Sequence, residues 1–272
     1  MSQYASNAQE VSRLLSAKYG DWPHYNRKNP LDELLFIICS IQTNEDLYRL
    51  TFANLKTEFP TFDLLATANE RRISKSIVDG GLSAQKARAI KKLIKAICDE
   101  FGRPTLAPLR RMVDDDCQRF LTSLPGVGLK TARCVMMYSL DRQVFPVDLH
   151  CWRICRRIGW VRPTRQNKTC SRKDMDRLQE KIPPELRFRM HVNLVSHGRA
   201  ICTSADPDCS NCCVRRYCRQ IGVDNKLPLA GIRLLSTNFR PVGFAKTNCP
   251  RGCCQSPILL SIATNDSNKI VD

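Results

Sequence analysis

The stretch LPGVGLKTARCV, residues 124–135, decides how the chain reads. Two glycines and a proline fall within five residues, and a lysine then opens an apolar-periodic run. DDDCQRFLTSL before it and KTARCVMMYSL after it repeat apolar residues three and four apart, the spacing of amphipathic helices. Between them LPGVG is too short for anything but a tight reversal. Gly126 and Gly128 supply backbone angles closed to other residues and let another backbone come close. The helix that starts after Gly128 presents unpaired amide hydrogens and the positive end of its dipole. Such a corner suits either a bound phosphate or an ordinary glycine-capped turn, and the stretch alone leaves both open. Lys130 lies in the first helical turn. The dipole, and partial burial with it, disfavour an ammonium there. That predicts a free amine near neutral pH, the form a nucleophile needs.

Outward from this corner the chain reads as helical throughout. LDELLFIICSIQT and SAQKARAIKKLIKAICDEFG carry the same periodicity, and no alternating strand pattern interrupts them. Gly and Pro at Pro60, Gly80–Gly81, Gly102–Pro104, Pro125–Gly128, Pro146 and Pro183–Pro184 punctuate it. The 272 residues suffice for one large domain or two modest ones, and no internal repeat is evident. No apolar run approaches a membrane span, and the N-terminus lacks a secretory pattern, so an intracellular protein is expected. It would sit in the cytoplasm or nucleoid of a bacterium, or in the nucleus or mitochondrion of a eukaryote.

Lys and Arg number 43 against 26 for Asp and Glu, a net charge of +17 that points to a polyanionic partner, nucleic acid foremost. Fifteen cysteines in a reducing compartment point to a metal site rather than a disulfide framework. ICTSADPDCSNCCVRRYC supplies four, Cys202, Cys209, Cys212 and Cys218, separated by six, two and five residues. Four thiolates in so short a loop suit a tetrahedral zinc or a cubane iron–sulfur cluster, and their chemistry does not choose. Cys213 falls outside the spacing. Cys39, Cys98, Cys134 and Cys155 sit among apolar residues as small hydrophobes. After Cys218 the periodicity ends, and residues 219–272 read as a poorly structured tail in which Cys249, Cys253 and Cys254 form an incidental cluster.

LPGVGLKTA, with the aspartate of FPVDLH eighteen residues beyond its lysine, resembles the helix–hairpin–helix DNA glycosylases of the endonuclease III type. The likeness covers roughly residues 28–218. It implies an all-α, two-lobed fold: a helical barrel lobe over residues 27–142, and an iron–sulfur lobe joining residues 1–26 to 143–218. It also implies a [4Fe–4S] cluster on the four cysteines, with Arg215 and Arg216 of that loop turned toward DNA phosphate. In this family the lysine corresponding to Lys130 attacks the sugar C1′, giving a bifunctional glycosylase and abasic-site lyase that acts through a Schiff base. Asp148, on its own a helix cap as much as a catalyst, would stabilise positive charge on the sugar. His150 and Trp152 fit supporting and core roles, as does Tyr138.

The resemblance further places Gln42 and Leu82 where side chains fill the space left by an extruded base, and Leu124, Gly126 and Gly128 against the DNA backbone. The expected partner is double-stranded DNA carrying damaged pyrimidines or abasic sites, bound by a monomer. Two departures bear on substrate: Gly80–Gly81 before Leu82, and DLH where DTH is usual. FPVD and the GW of RRIGW resemble plant-type 5-methylcytosine glycosylases, so that substrate, or a mismatch, is the alternative within the fold. A non-catalytic DNA-binding iron–sulfur protein is the alternative outside enzymes.

Overall fold

The computed structural model describes residues 3–20, 26–161 and 170–223. Among them the regular elements are all helical, in eleven α-helices and a few 3-10 turns, with no strand. The tail beyond residue 223, with Cys249, Cys253 and Cys254, lies outside the described residues. Residues 219–223 do not belong to a loose tail, since the Ile221 amide donates to Arg157 O at 3.2 Å. Among the described residues no helix is long and apolar enough to cross a membrane.

Apolar residues gather into two clusters, which make the two lobes. The first is built around α2 (Pro30–Ser40), whose LDELLFIIC run is buried on every side, as expected for a helix apolar all round. Asn29 starts it by accepting from the Leu31 and Asp32 amides, and Pro30 fills a first-turn position that needs no amide. Around it pack α3 (Glu45–Glu58), α4 (Phe62–Thr67), α5 (Glu70–Ser76), α6 (Ser83–Phe101), α7 (Asp114–Ser123) and α8 (Leu129–Ser139). The second cluster joins Val11 and Leu15 of α1 (Gln3–Tyr19) to α9 (Leu149–Ile158), α10 (Arg172–Lys181) and α11 (Arg187–Ala200). Buried Arg133 of α8 bridges toward the second lobe, donating to Gln118 in its own lobe and pairing with Asp176 of α10.

The α7–α8 hairpin forms where the sequence predicts it. Asp114, Asp115 and Asp116 in the first turn of α7 suit the positive end of its dipole. Only Gly126 uses a glycine conformation, at φ +77; Gly128, at φ −84, adopts a backbone open to any residue. Leu124, expected on the DNA side, is 5% exposed and packs in the first core. Its amide donates to Leu121 and its carbonyl accepts from Val127, so it anchors the hairpin from inside. An apolar side chain on the inner side of so tight a reversal has only the core to face.

Candidate active site

Lys130 is the second residue of α8, and Asp148 is the N-cap of α9. The two helices belong to different lobes, yet both residues wall one cavity of about 370 Å³. Glu33, Tyr138 and His191 share that wall. Asp148 Oδ1 accepts from the Cys151 amide at 2.7 Å, which fixes the carboxylate as a cap does while leaving it on the cavity.

Electrostatics around Lys130 differ from the expectation. The sulfur of Cys134, one turn along the same helix, favours the ammonium; burial opposes it; Asp148 and Glu33 add to the sulfur, and the net is a raised lysine pKa. The helix start alone predicts a free amine, but the acidic groups that the fold brings beside it raise the lysine pKa instead. For Asp148, burial pushes the carboxyl upward, while His191, the Cys151 amide and His150 together outweigh it and hold the group below the usual carboxylate range. The cavity therefore contains an ammonium and a carboxylate at neutral pH. Burial pushes Glu33 up. Its carboxyl accepts from the Arg27 amide at 2.9 Å and from Asn26 Nδ2.

His191 is buried, and its Nδ1 donates to Pro146 O at 2.9 Å. Burial lowers its pKa, so the ring is neutral, with Nε2 as its acceptor nitrogen. His150 instead supports the second lobe. It takes a hydrogen bond from Arg153 Nη2 at 3.1 Å and lies against Gly198, where a Cβ would come within 2.7 Å of the ring. Trp152 is core, whereas Tyr138, expected there too, lines the cavity. Sequence reading missed Glu33, Asn26 and His191. Only Glu33 left a signal, as a carboxylate inside the apolar run LDELLFIIC.

Of the expected wedge residues, Gln42 is exposed and Leu82 is 46% exposed, and both have φ +50, a left-handed backbone uncommon outside glycine. Arg215 and Arg216 are exposed. Arg215 Nη1 donates back to Cys209 O at 3.2 Å, and Arg216 lies over the Tyr217 ring.

Cys202, Cys209, Cys212 and Cys218 all line one recess with Arg157, and Cys213 does not. Arg157 Nη1 donates to Cys202 Sγ at 3.2 Å, and the Gln220 amide donates to Cys218 Sγ at 3.4 Å. His197 Nε2 stands 3.4 Å from Cys212 Sγ. Among the described residues no three His, Cys, Asp or Glu groups stand close enough to share a single ion.

Comparison with known proteins agrees with this geometry. Residues 35–182, more than half of the chain, match the family model of the HhH-GPD superfamily base excision DNA repair proteins. A putative DNA glycosylase of Arabidopsis thaliana is 37% identical over 183 residues, covering 67% of this chain and 58% of its own length. The chain thus spans little more than half of that relative. Endonuclease III of Sulfolobus acidocaldarius is 28% identical over 197 residues, covering 71% of this chain and 82% of the relative. The fold is similar to that in a trapped endonuclease III–DNA covalent intermediate, at TM-score 0.68 and 23% identity over 79% of this chain and 96% of that one. Hairpin, cavity and two-lobed helical architecture agree with these relations, and the chain belongs to the HhH-GPD superfamily of base excision DNA repair proteins.

Proposed function

We propose that the protein is a bifunctional DNA glycosylase and abasic-site lyase of the endonuclease III type, acting on damaged pyrimidines in double-stranded DNA. The observation that carries this reading is the cavity walled jointly by Lys130 and Asp148. A cavity of this size accommodates a single base. Asp148 stabilises positive charge on the sugar as the glycosidic bond weakens. The Lys130 lone pair then forms a bond to C1′, and the bonding pair of the glycosidic link leaves with the base, which takes up a proton. Ring opening gives the Schiff base. Loss of a C2′ proton then expels the 3′ oxygen and cuts the strand. Gly126 and Gly128 support a backbone-phosphate contact at the hairpin, since a Cβ at either would meet nothing within the protein.

Attack requires the free amine, and Lys130 is held as an ammonium. Raising the pH through the neutral range therefore increases the trapping rate on an abasic duplex, by about tenfold per unit while the amine is the minor form. A flat profile from the acid side upward would contradict the assignment.

We infer that Cys202, Cys209, Cys212 and Cys218 hold a [4Fe–4S] cluster. Four thiols on one recess, two of them accepting N–H bonds at sulfur, fit a cluster that takes one thiolate per iron and so needs no three sulfurs on a single ion. Its contribution is to pin the loop that carries Arg215 and Arg216 toward phosphate. Purified protein is expected to show the broad visible absorbance of thiolate-ligated iron, lost in Cys202→Ala; a colourless, zinc-containing protein would contradict this.

The function is tested by duplexes that each carry one modified base, with base release and strand cleavage scored separately. Release of oxidised pyrimidines with coupled cleavage is expected. Preferential release of 5-methylcytosine would move the substrate to the alternative within the fold. Binding with neither release nor a trapped adduct would make the protein a non-catalytic DNA binder.

A further inference from the structure

Lys86, on α6, is a buried lysine that the reaction above does not use; it is 3% exposed. Its three N–H donors meet three oxygens: Cys39 O at 2.9 Å, Gly80 O at 2.9 Å and Thr43 Oγ1 at 2.7 Å. Cys39 lies in the last turn of α2. Thr43 follows Gln42, and Gly80 precedes Gly81–Leu82. The Thr43 hydroxyl also donates to Gly80 O at 2.6 Å, closing a direct link between the two turns. Gly80 is pressed so closely on α3 that a Cβ there would stand 2.6 Å from Thr51 Oγ1.

Both turns carry a non-glycine residue at φ +50, Gln42 and Leu82, and both present exposed side chains, with Ile41 also 48% exposed. A left-handed backbone at such residues is strained and persists only where its surroundings enforce it. A saturated, buried ammonium tied to both turns is such an enforcement. Opening a base pair needs both strands' gaps filled together, which requires the two side chains at a set span.

We propose that Lys86 is a positioning residue that locks the Gln42 turn and the Leu82 turn to each other, so that both side chains enter the base stack as one unit. The proposal rests on the reading of those residues as the DNA wedge. Lys86 does not touch the reacting atoms. Its effect falls on the opening of the duplex and not on the bond-breaking steps.

The test compares single-turnover release of one damaged pyrimidine from a duplex and from a single strand. Both substrates use the cavity and Lys130, but only the duplex must be unstacked. Lys86→Met is expected to slow release from the duplex about 30-fold while changing single-strand release by less than about threefold. Lys86→Arg, which can still donate to the carbonyls, recovers part of the duplex rate. Gln42→Ala combined with Leu82→Ala produces the same duplex-selective loss, and adding Lys86→Met to that pair brings no further loss. Equal losses on both substrates, or a full further loss in the triple variant, would overturn the proposal. A Gln42→Ala/Leu82→Ala protein that is unimpaired on duplex removes the wedge reading itself, and the proposal with it. If melting shows Lys86→Met unfolded, Thr43→Val decides: a duplex-selective loss of about fivefold supports the lock, and an equal or absent effect overturns it.

Discussion

Lys130→Ala abolishes the borohydride-trapped adduct on an abasic duplex and lowers coupled strand cleavage by about 10⁴-fold, while duplex binding stays close to normal. The size follows from the role proposed for the side chain. Among the described residues no other amine lines the cavity, and its other cationic wall group, the guanidinium of Arg199, does not form a Schiff base. The fold should tolerate the change. Lys130 lies in the first turn of α8, where the flanking Leu129 and Ala132 are buried, and alanine is the best helix former. Cys134, whose thiol burial pushes up to about 11 against the pull of Lys130, stays an uncharged thiol when the ammonium is removed. Adduct formation by the variant at the wild-type rate would place the nucleophile elsewhere.

Asp148→Asn and Asp148→Ala are expected to separate the structural and chemical duties of one residue. As N-cap of α9, Asp148 accepts from the Cys151 amide. Asparagine caps as well as aspartate, so Asp148→Asn leaves thermal stability nearly unchanged, whereas Asp148→Ala costs about 1 kcal/mol. Both remove the anion, and base release falls about 10³-fold in each. Stability and release rate, measured on the same preparations, check the split. Release by Asp148→Asn at near wild-type rate would reduce the residue to a cap. Asp148 is held below the usual carboxylate range, with the Cys151 amide donating to it at 2.7 Å, so its charge is present across the physiological range.

Much of the architecture was legible because it is written in local signals. Helical periodicity, the glycine turn and the cysteine spacing need no knowledge of distant residues. The cap at Asp148, the buried α2 and the hairpin all follow from residues within a few positions of one another. Three parts were not legible. Leu124 turned inward because the side of a reversal that a residue faces depends on the core beneath it. Gly128 proved to have an ordinary backbone, since a glycine in a turn does not announce its φ. Lys130 carries a raised pKa, because the sulfur one turn away and carboxylates from α2 and α9 outweigh the helix dipole and burial on which a local estimate rests.

The linear order of residues determined by itself that the chain would be helical, basic and folded on a tight glycine-containing corner with a lysine at its mouth. It also determined that four thiols would meet in one loop, because so short a segment has little freedom to separate them. Only the tertiary structure decided what surrounds that lysine. Glu33, Asp148 and His191 are up to 158 positions apart in the sequence, and packing of two cores brings them to one wall. The same holds for Lys86, which joins turns 43 and 6 residues away through a single buried nitrogen. Coulomb energy and hydrogen bonding depend on distance through space, and a sequence carries no such distance until the apolar surfaces have chosen their partners.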